Sequence, residues 1–273
     1  MSGKVVLRLF LALLLTLAAA YYQRKTGPTY PVQGERSWQE VQIRYSFERS
    51  HGGAGDQPVE ITVSDTTVKA MLIYRRLRSE DAWTGMVMKK GEQGHYSASL
   101  PHQPPAGKIE YFILLNKADQ STVLPENKSV VTRFKGAVPV AVLLPHILLM
   151  FLAMLLSNAA GLESLVNGRL LNKYALWTTV CLLFGGMILG PVVQKYAFGT
   201  FWSGIPFGYD LTDNKTLLTM LVWIIALWKG WSSRARRTWI IVAAVILLLV
   251  FSIPHSVMGS ELNYQTAKIE SGK

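Results

Sequence analysis

Apolar residues follow two rules along this chain. Between residues 41 and 134 they alternate with polar ones at a period of two, the pattern of strands with one buried face. That alternation predicts strands at 41–47, 59–63, 68–76, 83–89, 95–100, 108–116 and 129–134. Turn-forming clusters separate them, among them His51-Gly-Gly-Ala-Gly-Asp56, Lys90-Gly-Glu-Gln-Gly94 and Pro101-His-Gln-Pro-Pro-Ala-Gly107. About seven short strands at this spacing indicate a β-sandwich. Elsewhere the apolar residues come in blocks, at 9–20, 144–166, 174–193, 216–231 and 238–253. A helix needs about 20 such residues to cross a bilayer. The two rules together predict a membrane α-helical bundle of four or five spans fused to an all-β sandwich of immunoglobulin or fibronectin-III type.

The expected order is a signal anchor or signal peptide at 1–22, a linker at 23–37, the β-sandwich at 38–136, a four-helix transmembrane domain at 137–258 and a tail at 259–273. Lys4 and Arg8 precede the first apolar block, which ends in Ala18-Ala19-Ala20. Cleavage after Ala20 and retention as an anchor both export the segment beyond it. Two short loops carry the positive charge, one with Arg169 and Lys173, the other with Lys229, Arg234, Arg236 and Arg237. Such loops stay cytoplasmic. The sandwich, the loop at 198–215 and the tail from His255 are therefore expected outside, on the periplasmic side of a bacterial plasma membrane. Pro145 is expected in the first turn of its helix.

Composition narrows the chemistry. Half of the 273 residues are hydrophobic, and the net charge is +11. The densest basic run lies between two apolar blocks, which orients a membrane protein and does not track phosphates. Nucleic acid is excluded as a partner. The one cysteine, Cys181, lies inside an apolar block and allows neither an internal disulfide nor a Cys-x-x-Cys metal site. There is no Walker loop, no Gly-x-Ser-x-Gly and no His-Glu-x-x-His. No block carries a charge in its middle, which argues against a proton pump. The chain reads as a binding or electron-carrying protein rather than an enzyme.

Of five histidines, His51, His95 and His102 fall in turns or strand ends of the sandwich. His146 and His255 instead sit at the expected outer ends of spanning helices, where ionisable groups mark functional sites. Two neutral imidazoles facing each other across a bundle hold haem iron on both faces. Gly185, Gly186 and Gly190 offer close backbone approach, and Phe201, Trp202, Phe207 and Tyr209 offer flat walls. Asp210 suits a partner to an imidazole, while Asp213 or Thr212 suits the cap of the helix near Thr216. The bland readings are helix packing for the glycines and an interfacial belt for the aromatics. The expectation is a haem b site with His146 and His255 as iron ligands, bordered by Gly186, Phe201, Trp202, Tyr209 and Asp210. A divalent metal on His146, His255 and Asp210 has few evident ligands. The alternative is an accessory or assembly subunit of a membrane complex, whose sandwich binds other membrane or periplasmic proteins.

Two resemblances add to this. Residues 94–113 resemble the "Y-x-A-x-I-P … G-x-V-E-Y-Y-I" segment of fibronectin-type-III-like domains exported by bacteria, which implies the sandwich fold and is silent on function. Residues 190–223 are similar to the tryptophan-rich "WWD" loop of cytochrome c maturation proteins, which handles haem on the outer face between flanking histidines. That resemblance implies that Phe198-Gly199 and Trp202 match the aromatic positions and Asp210 or Asp213 the aspartate. His146 and His255 would match the flanking histidines. Phe198 stands where the family has tryptophan, and extra residues precede the acid.

Overall fold

The alternating stretch folds as two sheets over one apolar core. A computed structural model of the chain describes residues 3–126, 128–230, 235–255 and 257–270. In chain order the strands of this domain are β1 (Val32–Trp38), β2 (Val41–Phe47), β3 (Ser50–Gly52), β4 (Gln57–Val63), β5 (Lys69–Arg76), β6 (Thr84–Val87), β7 (Lys89–Lys90), β8 (His95–Leu100), β9 (Lys108–Lys117), β10 (Gln120–Leu124) and β11 (Val130–Lys135). One sheet runs β1-β2-β4-β8-β7; the other runs β3-β11-β9-β5-β6, with β10 also paired to β9. Neighbours are antiparallel except β3 and β11.

The period of two decides which face is buried. In β4, Val59, Ile61 and Val63 point inward while Pro58, Glu60 and Thr62 face out. In β9 the inward set is Ile109, Tyr111, Ile113 and Leu115, and all four are fully buried against β4's sheet. Each such side chain contributes about 1.5–3 kcal/mol of burial free energy. The domain begins earlier than the alternation suggests. β1 lies in the stretch read as a linker, and it pairs with β2 along its whole length, from Val32 opposite Phe47 to Trp38 opposite Val41.

Six helical segments occupy the apolar blocks. They are α1 (Gly3–Thr26), α2 (Val140–Leu165), α3 (Leu171–Cys181), α4 (Gly190–Phe198), α5 (Leu211–Gly230) and α6 (Arg236–Ser252). α3 and α4 are joined by a π-helical stretch at Leu182–Leu189 into one rod. Among the described residues, Gly3–Thr26, Val140–Leu165 and Leu171–Phe198 are long and apolar enough to cross a membrane. This is a membrane protein. α5 and α6 pack into the same bundle, where Trp223, Ala226, Ala243 and Leu247 meet Ala153, Ala160 and Ala175. Small residues let the backbones approach where lipid offers no hydrophobic drive. α2 starts at Val140, so Pro145 stands in its second turn and not its first. The missing N–H there leaves one helical hydrogen bond unmade.

α1 is built into the bundle. Its Thr16 Oγ1 accepts a bond from Asn158 Nδ2 of α2 at 3.0 Å, and Gln23 Nε2 donates to the Phe251 carbonyl at 2.6 Å. At the end away from the β domain, Arg8 pairs with Glu163 and Arg237 donates to the carbonyls of Ser164 and Leu165. Arg234, one of the charges used to orient the chain, lies outside the described residues.

At the other end the β domain is fastened to the helices. Gly136 N donates to the Ala197 carbonyl of α4 at 3.0 Å. The tail returns as a hairpin, β12 (Glu261–Asn263) and β13 (Lys268–Glu270), and lies on the β domain. Leu262 N bonds the Ala106 carbonyl at 3.0 Å, and Lys108 Nζ meets Glu261 at 2.8 Å. Tyr264 Oη accepts from Lys108 N at 3.0 Å, and burial pushes that phenol up to about 12.

Candidate functional site

Where the bundle meets the β domain, the helices leave a cavity of about 370 Å³. Its size lies within the range of cofactor and small-ligand pockets. Each part of the chain contributes: Gln23 from α1, Arg133 from β11, His146 from α2, Phe198 from α4, Trp202 from the loop after it and His255 from beyond α6. Apolar side chains such as Met150, Phe151 and Phe251 form much of the wall. The two histidines singled out from sequence therefore line one space.

His146 stands 2.8 Å, through Nδ1, from the carbonyl of Gly185. A carbonyl only accepts, so Nδ1 carries a proton, and in the neutral ring Nε2 keeps its lone pair. That carbonyl belongs to the π-helical stretch, where the Gly190 N–H also reaches it. Such π-bulges recur at functional sites. His255 comes directly after Pro254, just past α6, and is positioned from two sides. Gln23 bonds the Phe251 carbonyl, and Lys215 Nζ donates to the Ile253 carbonyl at 2.6 Å. Protein crowds the ring, yet the residue as a whole is exposed, as a group lining an open cavity can be. Burial drives its pKa down to about 4, helped by the Lys215 ammonium and by His146, with Asp210 opposing. His255 is thus neutral at pH 7 and makes no hydrogen bond to a described residue.

Arg133 is the part that sequence reasoning missed. It is 6% exposed, its guanidinium lies 3.7 Å from the centre of the Phe198 ring, and one N–H₂ group donates to the Ser260 carbonyl. Nε has no partner, and no ion pair forms within the described residues. Burial lowers its pKa to about 10, against the pull of Asp210 and Glu261, so it remains charged at neutral pH. A guanidinium carries five donors, and most of these are unused among the described residues.

Below the cavity mouth lies a buried polar network. Asp210 Oδ1 accepts from Thr212 N at 2.8 Å, while Oδ2 accepts from Ser260 N at 3.0 Å and Ser260 Oγ at 3.1 Å. Asp213 Oδ2 turns back to Ser203 N at 2.6 Å and Gly204 N at 3.0 Å. Gln194 Nε2 donates to Ser203 Oγ at 2.6 Å. These bonds tie α4, the loop at 199–210, α5 and the tail together. They also correct the expected roles. The helix starts at Leu211, so Asp210 is its cap, and neither Asp213 nor Thr212 fills that position. Asp210 touches no imidazole through a hydrogen bond; its influence on His255 is by charge alone.

The remaining expected residues divide. Trp202 lines the cavity, its indole N–H bonded to the Ile205 carbonyl at 3.1 Å. Phe201, Phe207 and Tyr209 are 56%, 82% and 69% exposed and form no part of the wall. Phe198 takes their place, because Gly199 ends α4 with φ +83° and turns the loop away behind it. Gly186 lines the cavity, yet a Cβ there would lie 2.7 Å from Thr216 Cγ2. Its smallness serves the contact with α5. At Gly190 a Cβ would make only ordinary contacts, 3.7 Å from the Gly185 carbonyl oxygen and 3.8 Å from His146 Cε1. No cluster of three or more metal-ligating side chains occurs among the described residues. No protein-family model and no curated protein matches the sequence.

Proposed function

We propose that the protein holds haem b in this cavity, with His146 and His255 as the iron ligands. It would serve electron transfer or haem handling at the outer face of a bacterial plasma membrane. The observation that supports this reading is the convergence of two imidazoles with available ring nitrogens on one apolar-walled space. Neutral imidazole is the form that binds iron, and His255 keeps it down to about pH 4. The donor set fits the group in other respects. The unused donors of Arg133 suit a carboxylate such as haem bears, and Phe198 and Trp202 suit a flat ring. Haem bound there would supply one-electron chemistry. The chain's own part would be to hold the ring, orient His146 through Gly185 and shield the site with the sandwich and tail.

With α5 and α6 counted as spans, the bundle has five. The cations Lys173, Arg236 and Arg237 then mark the cytoplasmic end, which leaves the cavity, the β domain and the tail outside. An absorbance spectrum of the purified full-length protein tests the haem reading. A Soret band is expected, and it should disappear in His146→Ala and in His255→Ala. Absence of the band after expression with added haem would overturn the proposal.

One observation favours a second reading, an accessory subunit. β6 is an edge strand, exposed at every residue, with Val87 at 71% and the neighbouring Trp83 at 41%. Unpaired edges accept strands from partners. Under this reading the full-length protein copurifies with one stoichiometric partner, and Val87→Lys releases it. A partner retained by that variant would rule out docking at β6.

A further inference from the structure

A second cavity, of about 350 Å³, opens at the end of the bundle away from the β domain. Its floor is apolar, made by Ala175 and Leu176 of α3, Ala226 and Leu227 of α5 and Ile240 of α6. Its rim carries Asn172, Lys173 and Arg236. The cations at this end are used in different ways. Arg8 is spent on Glu163, and Arg237 on the carbonyls that end α2. Lys173 and Arg236 make no ion pair or hydrogen bond with any described residue, and both stand on the rim of this cavity. No carboxylate is among its lining residues. An apolar slot between helix ends, topped by two cations without a counter-ion among the described residues, has the chemistry of an anionic amphiphile's seat.

We propose that this cavity binds one anionic phospholipid. Its phosphate sits between Lys173 and Arg236, with Asn172 as a further donor, and an acyl chain runs along Leu176, Leu227 and Ile240. Position selects a lipid over free phosphate: the slot lies among helix ends where headgroups lie, and its floor offers a water-soluble anion nothing. Basic pockets between spanning helices recognise anionic headgroups in this way. The inference does not depend on the haem reading, since the two cavities share no lining residue.

The test is native mass spectrometry of the full-length protein in detergent. It is titrated separately with phosphatidylglycerol, with phosphatidylcholine of the same chains, and with inorganic phosphate. One retained phosphatidylglycerol per chain is expected, with neither of the other probes retained. Lys173→Gln and Arg236→Gln should each weaken retention about fivefold, and the double variant about 25-fold. Equal retention of phosphatidylcholine, tight binding of phosphate alone, or unaltered binding by the double variant would overturn the proposal. Lys173 is exposed, so its single substitution leaves the fold intact and decides the matter even if the double variant fails to fold.

Discussion

The two ends of the helix bundle both bury carboxylates, but they hold them by different means. At the end away from the β domain, Glu163 is 1% exposed and its Oε1 takes two contacts from Arg8, at 3.0 and 2.9 Å, while Oε2 has no hydrogen-bond partner among the described residues. Charge cancels charge, and the pair joins α1 to α2. At the other end, Asp210 and Asp213 are held by backbone N–H groups and serine hydroxyls. The cations there, Arg133 and Lys215, rest on the carbonyls of Ser260 and Ile253. Arg133 and Lys215 share that end with Asp210 and Asp213 without forming an ion pair with either. A buried cation without a carboxylate is an unfavourable arrangement, and proteins retain such arrangements mainly where they are used. The difference separates an end built for cohesion from an end that keeps charge and imidazole nitrogen available to a cavity.

The sharpest way to break this comparison is to open the paired end. Arg8→Ala leaves Glu163 buried and uncompensated, which costs about 3–5 kcal/mol. The combined replacement Arg8→Leu with Glu163→Gln should recover most of that loss, because neither partner is then left charged. Unfolding midpoints in detergent measure both. A midpoint for Arg8→Ala close to wild type would show that the pair does not hold α1.

At the cavity end the carboxylates act through neutral donors, so their removal is felt as released structure. Asp210→Ala removes a helix cap and the anchor of Ser260, a loss of about 2–3 kcal/mol. Hydrogen exchange should accelerate in the hairpin of β12 and β13 while β9 stays protected. A hairpin with unchanged protection would mean that its contacts with Lys108 and Ala106 suffice alone.

How much of this was legible in the sequence depends on the range of each interaction. β2 and β8 match the expected strands residue for residue, because their alternation is a local record of one buried face. β1 escaped because Gln33, Gly34, Glu35 and Arg36 interrupt any apolar pattern; it pairs at a sheet edge where neither face is fully buried. The histidines stood out as ionisable groups beside apolar blocks. Arg133 did not, since a basic residue within a strand reads as an ordinary outward charge. It is buried only because α4 and the tail close over it, through Phe198 and Ser260. Ser203, Ser260 and Gln194 carry no local signal at all, for their partners come from distant segments. The aromatic loop misled in a particular way. Its density of rings was real, but one glycine turn sends most of them outward.

Acid should act on the cavity end through His255. Its pKa, about 4 against an ordinary 6.5, means that between those values the folded chain binds fewer protons than the unfolded chain. Stability from this group is therefore complete above about pH 6.5 and falls away as pH drops toward 4. The groups acting on the ring are Lys215, His146 and Asp210, and the first two strengthen the effect. Melting temperature measured against pH in wild type and in His255→Phe isolates it. The two curves should converge at neutral pH up to a constant offset, and the wild type should fall more steeply across that window. Parallel curves would show that His255 does not set the acid response.

The smallest expected change in stability is the most informative one. Arg133 has no carboxylate partner to strand among the described residues, and burial already disfavours its charge. Arg133→Met keeps the volume and the contact with Phe198 while removing the cation. Replacing a buried charge by an apolar residue of similar size is often neutral, so stability should change by less than about 1 kcal/mol. Binding should respond differently. If the guanidinium meets a carboxylate of the ligand, loss of a charged hydrogen bond weakens haem retention by about tenfold or more. An unchanged melting temperature with weakened haem binding would mark Arg133 as kept for the cavity. A large drop in stability with unaltered binding would place it instead with Arg8, as a brace between the β domain and the tail, and the distinction between the two ends would fail.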